Sequence, residues 1–313
     1  NYILKTVTNK GNYIIRGEYM EKIIDVKNLK KSYGNVEAVK GIDFYVDASS
    51  LFAFLGPNGA GKTTTINILS TLLTKDEGEI IVNGYKLGEH EDEIRSSIGI
   101  VFQEGVLDPL LSVKENLEVR GSFYKLSKEV LKERIEKALI TTGIENLASR
   151  KYGSLSGGQK RRTDIARALI HAPKILFLDE PTTGLDPQTR KNVWNTIMHL
   201  KNEENMTVFL TTHYMEEADM ADYVVIIDNG EIVAKGTPSY LKDTFSKDIL
   251  KIKPKNPSVL EKHLMAKNIR FIKQIDIFEI KLEHTLESID IINEVKDNIE
   301  SFQVLNGTLD DAF

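Results

Sequence analysis

The chain has 313 residues, 41% of them apolar and 28% charged, and it contains no cysteine. That length suffices for a large core and points to roughly two domains, while the missing cysteines exclude disulfides and thiolate metal sites and suit a reducing cytoplasm. A formal net charge of −5 argues against a nucleic-acid partner, for which a strongly basic balance is expected.

No run of about 18 apolar residues occurs, so the chain is not expected to cross a membrane by itself. The first residues also lack the sustained apolar stretch of a signal peptide. Met20 opens the first clearly patterned segment. Residues 1–19 are therefore expected to be an upstream or expression-derived extension, and their few apolar residues equally allow a short extra strand.

From Ile23, IIDVKNLKKSY alternates in the manner of an edge strand, and VKGIDFYVD continues the pattern. LFAFL, residues 51–55, is an unbroken apolar run of strand length, as in a strand buried on both faces. TTTINILSTLL has the length and spacing of a helix, and GEIIVNGYKL reads as two short strands punctuated by Gly78 and Gly84. Residues from about 105 to 170 read as mainly helical, with Ser127 capping an amphipathic helix that ends at Gly143. KILFLDE, TVFLTTH and YVVIIDNGEIVAKG are apolar strands separated by helical stretches such as TRKNVWNTIMHLKNE. That alternation predicts a mainly parallel sheet covered on both faces. Residues 20–240 are expected to form this main domain. Beyond Pro238 the segments DILKIK, PSVLEKHLMAKN, RFIKQI, IFEIKL, LESIDIINEVKDNI and FQVLN follow a β-α-β-β-α-β order. They predict a small α+β domain over residues 241–313.

GPNGAGKT, Gly56 to Thr63, fits the G-x-x-x-x-G-K-T pattern at every position, between a buried strand and a helix. Its glycines let the backbone curl so that successive N–H groups face a phosphate at a helix N-terminus. Gly56, Pro57, Asn58, Gly59, Ala60, Gly61, Lys62, Thr63 and Thr64 form this first cradle. Lys62 supplies charge to the β- and γ-phosphates, and the Thr63 hydroxyl is placed to ligate Mg²⁺. KILFLDE ends in a carboxylate pair at a strand end: Asp179 to hold the metal, Glu180 to take a proton from an attacking water. Taken alone, such a pair reads more readily as a solvated surface feature.

LSGGQKRRTDIARAL places a serine at an N-cap position, then two glycines, then a helix. Lys160, Arg161 and Arg162 oppose the macrodipole at that helix start, a conflict that an anion would relieve. Ser156, Gly157, Gly158 and Gln159 are therefore expected to form a second phosphate cradle. Its occupant would come from a second copy of the chain, each copy closing the other's site across a two-fold axis.

The P-loop GPNGAGKT, the signature LSGGQKRR, ILFLDE, GLDP and the histidine of TTHYMEEAD stand in an order and spacing that resemble the nucleotide-binding domains of ABC ATPases. GLDP, TTHYMEEA and the terminal TLDDAF resemble the drug-resistance and antibiotic-export branch. The resemblance implies a P-loop NTPase fold of ABC type: a mainly parallel sheet core, an antiparallel β subdomain and a helical subdomain, with the small α+β domain appended. It implies that Tyr33 stacks on adenine, that Gln103 senses Mg²⁺ and the attacking water, that Asp186 couples two protomers, and that His213 contacts the γ-phosphate. Lys62, Gln103, Glu180 and His213 form the implied catalytic set; Thr63, Gln103 and Asp179 the implied metal set. The family usually has glycine where Ser49 stands and often glycine where Ala53 stands, both outside the cradle.

The expected function is an ATP-binding, ATP-hydrolysing subunit that energises export, working as a head-to-tail dimer with a separate multi-span permease. Such a chain lies in the cytoplasm, peripheral on the inner face of the cell membrane. Two rivals remain: a non-transport ABC ATPase, and an ATP-dependent regulatory binding module. The C-terminal unit is open between regulation, dimerisation and stabilisation, since fold alone does not decide function.

Overall fold

Alternating and unbroken apolar runs sort the strands into sheets of different exposure. The computed structural model describes residues 21–309, together with the backbone of two short strands, β1 (Thr6–Val7) and β2 (Tyr13–Ile14), which pair antiparallel. The rest of the expected extension over 1–19, and the last four residues of the chain, lie outside the described residues.

An antiparallel sheet comes first, built from β3 (Lys22–Tyr33), β4 (Val36–Asp47), β6 (Glu77–Val82) and β7 (Tyr85–Lys86) in the order β4-β3-β6-β7. The expectation that the Ile23 segment is an edge strand is overturned, because β3 pairs with both β4 and β6. Its alternation reflects one face on the core and the other in solvent, which an interior antiparallel strand shows equally well.

Against it lies the larger sheet, whose strands are β5 (Leu51–Leu55), β8 (Ile98–Val101), β9 (Ile175–Asp179), β10 (Thr207–Thr212), β11 (Tyr223–Asp228) and β12 (Glu231–Gly236). Their order is β12-β11-β5-β10-β9-β8, parallel throughout except that β12 runs against β11. Every residue of β5, β9 and β10 is buried, which is why these strands read as unbroken apolar runs. Phe44 of the antiparallel sheet meets Phe52 and Phe54, while Phe52 stacks on Phe209 at 4.9 Å between ring centroids. Aromatic packing thus joins the two sheets into one core.

Parallel pairing puts the C-terminal ends of β5, β8, β9 and β10 along one rim, where ligands of open α/β sheets bind. The helix α1 (Lys62–Leu69) leads from β5 towards the antiparallel sheet and α2 (Glu91–Ser97) leads back from it to β8, while α6 (Pro187–Glu203) and α7 (Met215–Ala218) connect β9 to β10 and β10 to β11. Between β8 and β9 the chain forms α3 (Val113–Gly121), α4 (Lys128–Thr141) and α5 (Gly157–Leu169) around a separate apolar cluster that includes Leu117, Ile135, Leu139 and Ile170. Ser112 and Ser127 cap α3 and α4 through bonds from the backbone N–H of Glu115 and Val130.

The tight turn into β5 runs through Ser49, whose φ of 57° lies in the left-handed region that favours glycine. Two contacts hold it there: Ser49 N donates to Thr207 Oγ1 and Ser49 Oγ donates to Asn205 O, both at 2.9 Å. The departure from glycine is therefore accommodated by hydrogen bonding rather than by a changed backbone.

After α8 (Pro238–Phe245), a second unit follows with β13 (Asp248–Pro254), α9 (Pro257–Ala266), β14 (Ile272–Gln274), β15 (Ile277–Leu282), α10 (Glu287–Val295) and β16 (Ile299–Leu305). Its sheet order is β14-β15-β13-β16, all antiparallel, and its cluster includes Leu250, Leu264, Phe278 and Ile280. Leu309 leaves this unit and is fully buried in the parallel-sheet cluster that contains Leu51 and Leu241. No described helix is long and apolar enough to cross a membrane. Leu309→Ala is expected to destabilise the chain by about 2–4 kcal/mol through a cavity. A shift of the urea midpoint at unchanged slope checks this.

Candidate nucleotide site

β5 delivers the chain into the glycine loop, and Gly56 N is anchored to Thr212 O at the end of β10. Gly61 has φ 107°, and a Cβ there would stand 2.5 Å from Ala38 O, so no other residue fits. No side chain caps α1 at Gly61, leaving its first amides directed outward. Pro57, Asn58 and Gly59 are exposed, whereas Ala60, Gly61 and Lys62 are buried and Thr64 is half-buried. Lys62 Nζ donates to Gly56 O at 2.7 Å and Pro57 O at 3.0 Å, which poises the charge under the loop.

β9 supplies the carboxylates. Asp179 accepts from Thr211 Oγ1 at 2.6 Å, and Thr63 Oγ1 stands 3.2 Å from Asp179 Oδ2. Glu180 adopts φ 45°, a strained value for a residue with a side chain, and its N–H donates to Thr211 Oγ1 at 3.0 Å. Four groups reach the Glu180 carboxylate: Lys62 Nζ at 3.4 Å, His213 Nδ1 at 3.4 Å, Gln103 Nε2 at 3.3 Å and Thr183 Oγ1 at 3.1 Å. The His213 contact is close without hydrogen-bond geometry. Residues from four strand ends thus meet at one buried carboxylate. Among the described residues no cluster of three or more His, Cys, Asp or Glu forms a metal cage. The Thr63 and Asp179 oxygens instead suit a hard cation that keeps most of its ligands from phosphate and water.

The signature helix is capped as its sequence suggests. Ser156 Oγ accepts from Gln159 N, and Gln159 Oε1 accepts from Ser156 N at 3.0 Å. Ser156 and Gly157 are exposed. Gly158 is buried, and a Cβ there would stand 2.0 Å from Thr189 Cγ2, so its smallness serves the packing of α5 on α6. Asp186 caps α6 by accepting from Thr189 N at 3.0 Å, and hydrogen bonding there holds its carboxyl below the ordinary range. Tyr33 is half exposed at the end of β3.

One inference from the sequence is corrected. The basic residues behind LSGGQ need no foreign anion, because Arg161 donates to Phe102 O and Gln103 O, and Arg162 to Thr142 O and Gly143 O. Lys160 lies over the Tyr152 ring. The pattern continues down the helix: Arg167 donates to Ile100 O, and His171 Nε2 meets Ile98 O at 2.8 Å. Burial pushes the His171 pKa down, so the neutral ring donates. The acceptors of Arg161, Arg167 and His171 belong to β8, at one edge of its sheet, and to the loop that leaves it. Asp164 lies among these arginines and accepts from Tyr152 Oη at 3.1 Å.

Sequence reasoning missed Glu217. Its buried carboxylate accepts from Thr182 Oγ1, from Thr212 Oγ1 at 2.6 Å and from Trp194 Nε1 at 3.3 Å. It thereby ties the segment after Glu180 to the segment before His213. TTHYMEEAD carries it in plain view, but nothing local distinguishes it from the exposed Glu216 beside it.

A curled glycine loop over a lysine, a strand-end carboxylate pair and a capped glycine-led helix define a P-loop nucleoside triphosphatase. The family model described as ABC transporter matches residues 39–183. The linearmycin resistance ATP-binding protein LnrL of Bacillus subtilis is 39% identical over 263 residues, covering 83% of this chain and 84% of that protein. The daunorubicin/doxorubicin resistance ATP-binding protein DrrA of Streptomyces peucetius is 38% identical, covering 74% of this chain and 70% of its own length. Among solved structures, cbiO1 from Clostridium perfringens, part of the ABC transporter complex cbiONQ, superposes with a TM-score of 0.67 at 29% identity, over 78% of this chain and 95% of that one. A dimeric ATP-binding cassette in a post-hydrolysis state with ADP and phosphate gives 0.62 at 32% identity, over 68% and 98%. The chain belongs to the ABC transporter family, as an ATP-binding subunit that hydrolyses ATP.

Burial pushes Asp164 up to about 6, with Arg167 and Arg161 pulling the other way. A raised carboxyl binds its proton more tightly folded than unfolded. Its contribution is therefore full below about pH 4 and is lost as pH rises through about 6. Asp164→Asn should remove that slope, gaining about 2 kcal/mol on the parent between about pH 4 and pH 7.5. Urea midpoints at the two pH values check it.

Proposed function

We propose that this chain energises export through a separate multi-span membrane permease, as a head-to-tail pair in which each copy completes the other's nucleotide site. The observation that supports it most is the convergence of Lys62, Gln103 and His213 on Glu180 beside the Thr63–Asp179 pair. The export direction draws on the relatives named for drug resistance and for Nod factor export. Residues 20–240 act as the ATPase domain and 241–313 as an accessory domain that helps pair two chains. Residues 1–19 stand outside this division of labour.

Tyr33 stacks on adenine. Backbone N–H groups between Asn58 and Thr64 hold the β-phosphate, and Lys62 turns its charge on the β- and γ-phosphates. Thr63 and Asp179, with Gln103, hold Mg²⁺, which when bound neutralises charge developing on the phosphates. Glu180, beside Lys62, takes the proton of the attacking water. The water oxygen bonds to the γ-phosphorus as the bridging bond to ADP breaks. Gln103 orients that water and His213 contacts the γ-phosphate.

The second copy supplies Ser156, Gly157, Gly158 and Gln159. Because Ser156 Oγ accepts from Gln159 N, its hydroxyl proton is free to donate to a phosphate oxygen. Asp186, at the start of α6 beside this tip, couples the two copies. ATP binds the closed pair more tightly than the open one, so hydrolysis reopens it and drives the permease by differential affinity. The permease's cytoplasmic helices dock beside Gln103 and the α3–α4 region, which holds the chain on the inner membrane face.

Glu180→Gln keeps the shape but cannot take the proton, so the purified variant should accumulate ATP-bound dimers in size-exclusion chromatography. Monomers at saturating ATP would contradict the mechanism. Ser156→Asp preserves the cap, since Asp caps as well as Ser, but sets negative charge against the phosphate. Turnover is expected to fall by about 100-fold or more, with ATP binding to the isolated chain unchanged. Loss of binding in that variant would mean the tip serves its own chain's nucleotide.

A further inference from the structure

We propose that Arg161 is a positioning residue for Gln103, and that the Arg161–Asp164–Tyr152 cluster ties the nucleotide site a chain caps for its partner to the site it holds itself. The inference rests on the head-to-tail reading above and goes beyond it by naming the intrachain link. One rigid helix carries both ends. Ser156 opens α5, and Arg161 lies five residues further on, about 7.5 Å along the axis. The Arg161 guanidinium donates to two successive carbonyls, Phe102 O and Gln103 O, the latter at 2.9 Å. Gln103 in turn reaches Glu180 with its side chain.

The link is built rather than incidental. β8 is the edge of its sheet, and its outward carbonyls recur every second residue. Arg161, Arg167 and His171 meet Phe102, Ile100 and Ile98 in turn, so α5 and the turn that follows it are fastened along the whole strand. Any shift of α5 along its axis moves the strand end that bears Gln103. Arg161 itself is buried, with Asp164 the first carboxylate facing it and Tyr152 Oη bonded to Asp164. Tyr152 also grips the loop beyond Gln103: a Cβ on Gly105 would stand 2.4 Å from Tyr152 Oη, so only glycine lets the loop lie this close. Two carbonyls and one glycine face thus fix the loop on both sides of Gln103.

A guanidinium fork spans two adjacent carbonyls, whereas an ammonium is a single compact donor group. Arg161→Lys should therefore weaken the link and Arg161→Met abolish it. The test uses the full-length chain with Mg²⁺-ATP and reads three quantities. In Arg161→Met, kcat is expected to fall about tenfold or more and the Hill coefficient for ATP to drop towards 1, with KM changed less than about twofold. Arg161→Lys should lie between this variant and the parent. Combined with Glu180→Gln, Arg161→Met should still give ATP-bound dimers, because the cradles themselves are untouched. Tyr152→Phe removes one hydroxyl and keeps the ring packed, so it serves as the second probe, with a smaller drop in the Hill coefficient.

Unchanged kcat and Hill coefficient in Arg161→Met would overturn the proposal. So would loss of ATP binding in Tyr152→Phe, which would assign the cluster to folding alone. If Glu180→Gln by itself forms no ATP-bound dimer, the head-to-tail reading falls first and this inference with it.

Discussion

The structure turns on one buried carboxylate and the groups that face it. Glu180 is nearly excluded from water, and a lone ionised carboxylate there would be expensive. Lys62 offsets its charge, while Gln103 and Thr183 direct hydrogen-bond donors at it. Strain in the left-handed backbone at Glu180 adds to what the surroundings must hold. The four strands that surround it supply that support, each at its C-terminal end: β5 through the glycine loop, β8 through Gln103, β9 through Asp179 and Glu180, and β10 through Thr211 and His213. Parallel pairing makes those ends coincide. The unbroken apolar runs of β5, β9 and β10 are therefore functional features as well as core.

Around that rim, buried polar contacts do the placing. Glu217 gathers hydroxyls from either side of the site and an indole N–H from α6. Leaving one of these groups unpaired would cost more than its bond contributes when made, so the network resists partial breakage. On the other flank α5 and the turn after it cover the sheet edge with arginine and histidine donors, which both satisfies the outward carbonyls and removes an edge open to pairing with another chain. The glycine-led tip of α5 is in this way mechanically continuous with the strand that carries Gln103.

Much of this was legible from residue order, because the signals are local. GPNGAGKT between a buried strand and a helix, the capping serine of LSGGQ, and the apolar runs around ILFLDE each announce their own geometry. The β-α-β-β-α-β tail was likewise readable from alternating period. What escaped depends on distant partners. Lys160 to Arg162 looked like cations at odds with a helix dipole, because carbonyls some 20 to 60 residues away in sequence cannot be seen from the helix. β8, a four-residue run containing a glycine, was too short to stand out. The interior place of β3 was hidden because alternation reports which face is wet, not which edge is paired. Leu309 gave no sign that the segment after β16 returns to the parallel-sheet core.

In the proposed head-to-tail pair a second copy completes the site, its exposed Ser156 hydroxyl and Gly157 amide capping the phosphate from the tip of α5. The chain's lack of cysteine gives a direct measurement. One chain carries Asn58→Cys and another Gly157→Cys, both on a Glu180→Gln background, and the two are mixed under mild oxidation. A disulfide-linked heterodimer that appears with Mg²⁺-ATP and vanishes without it, absent from either chain alone, is the predicted result. Chains that bind ATP yet give no nucleotide-dependent cross-link would contradict it.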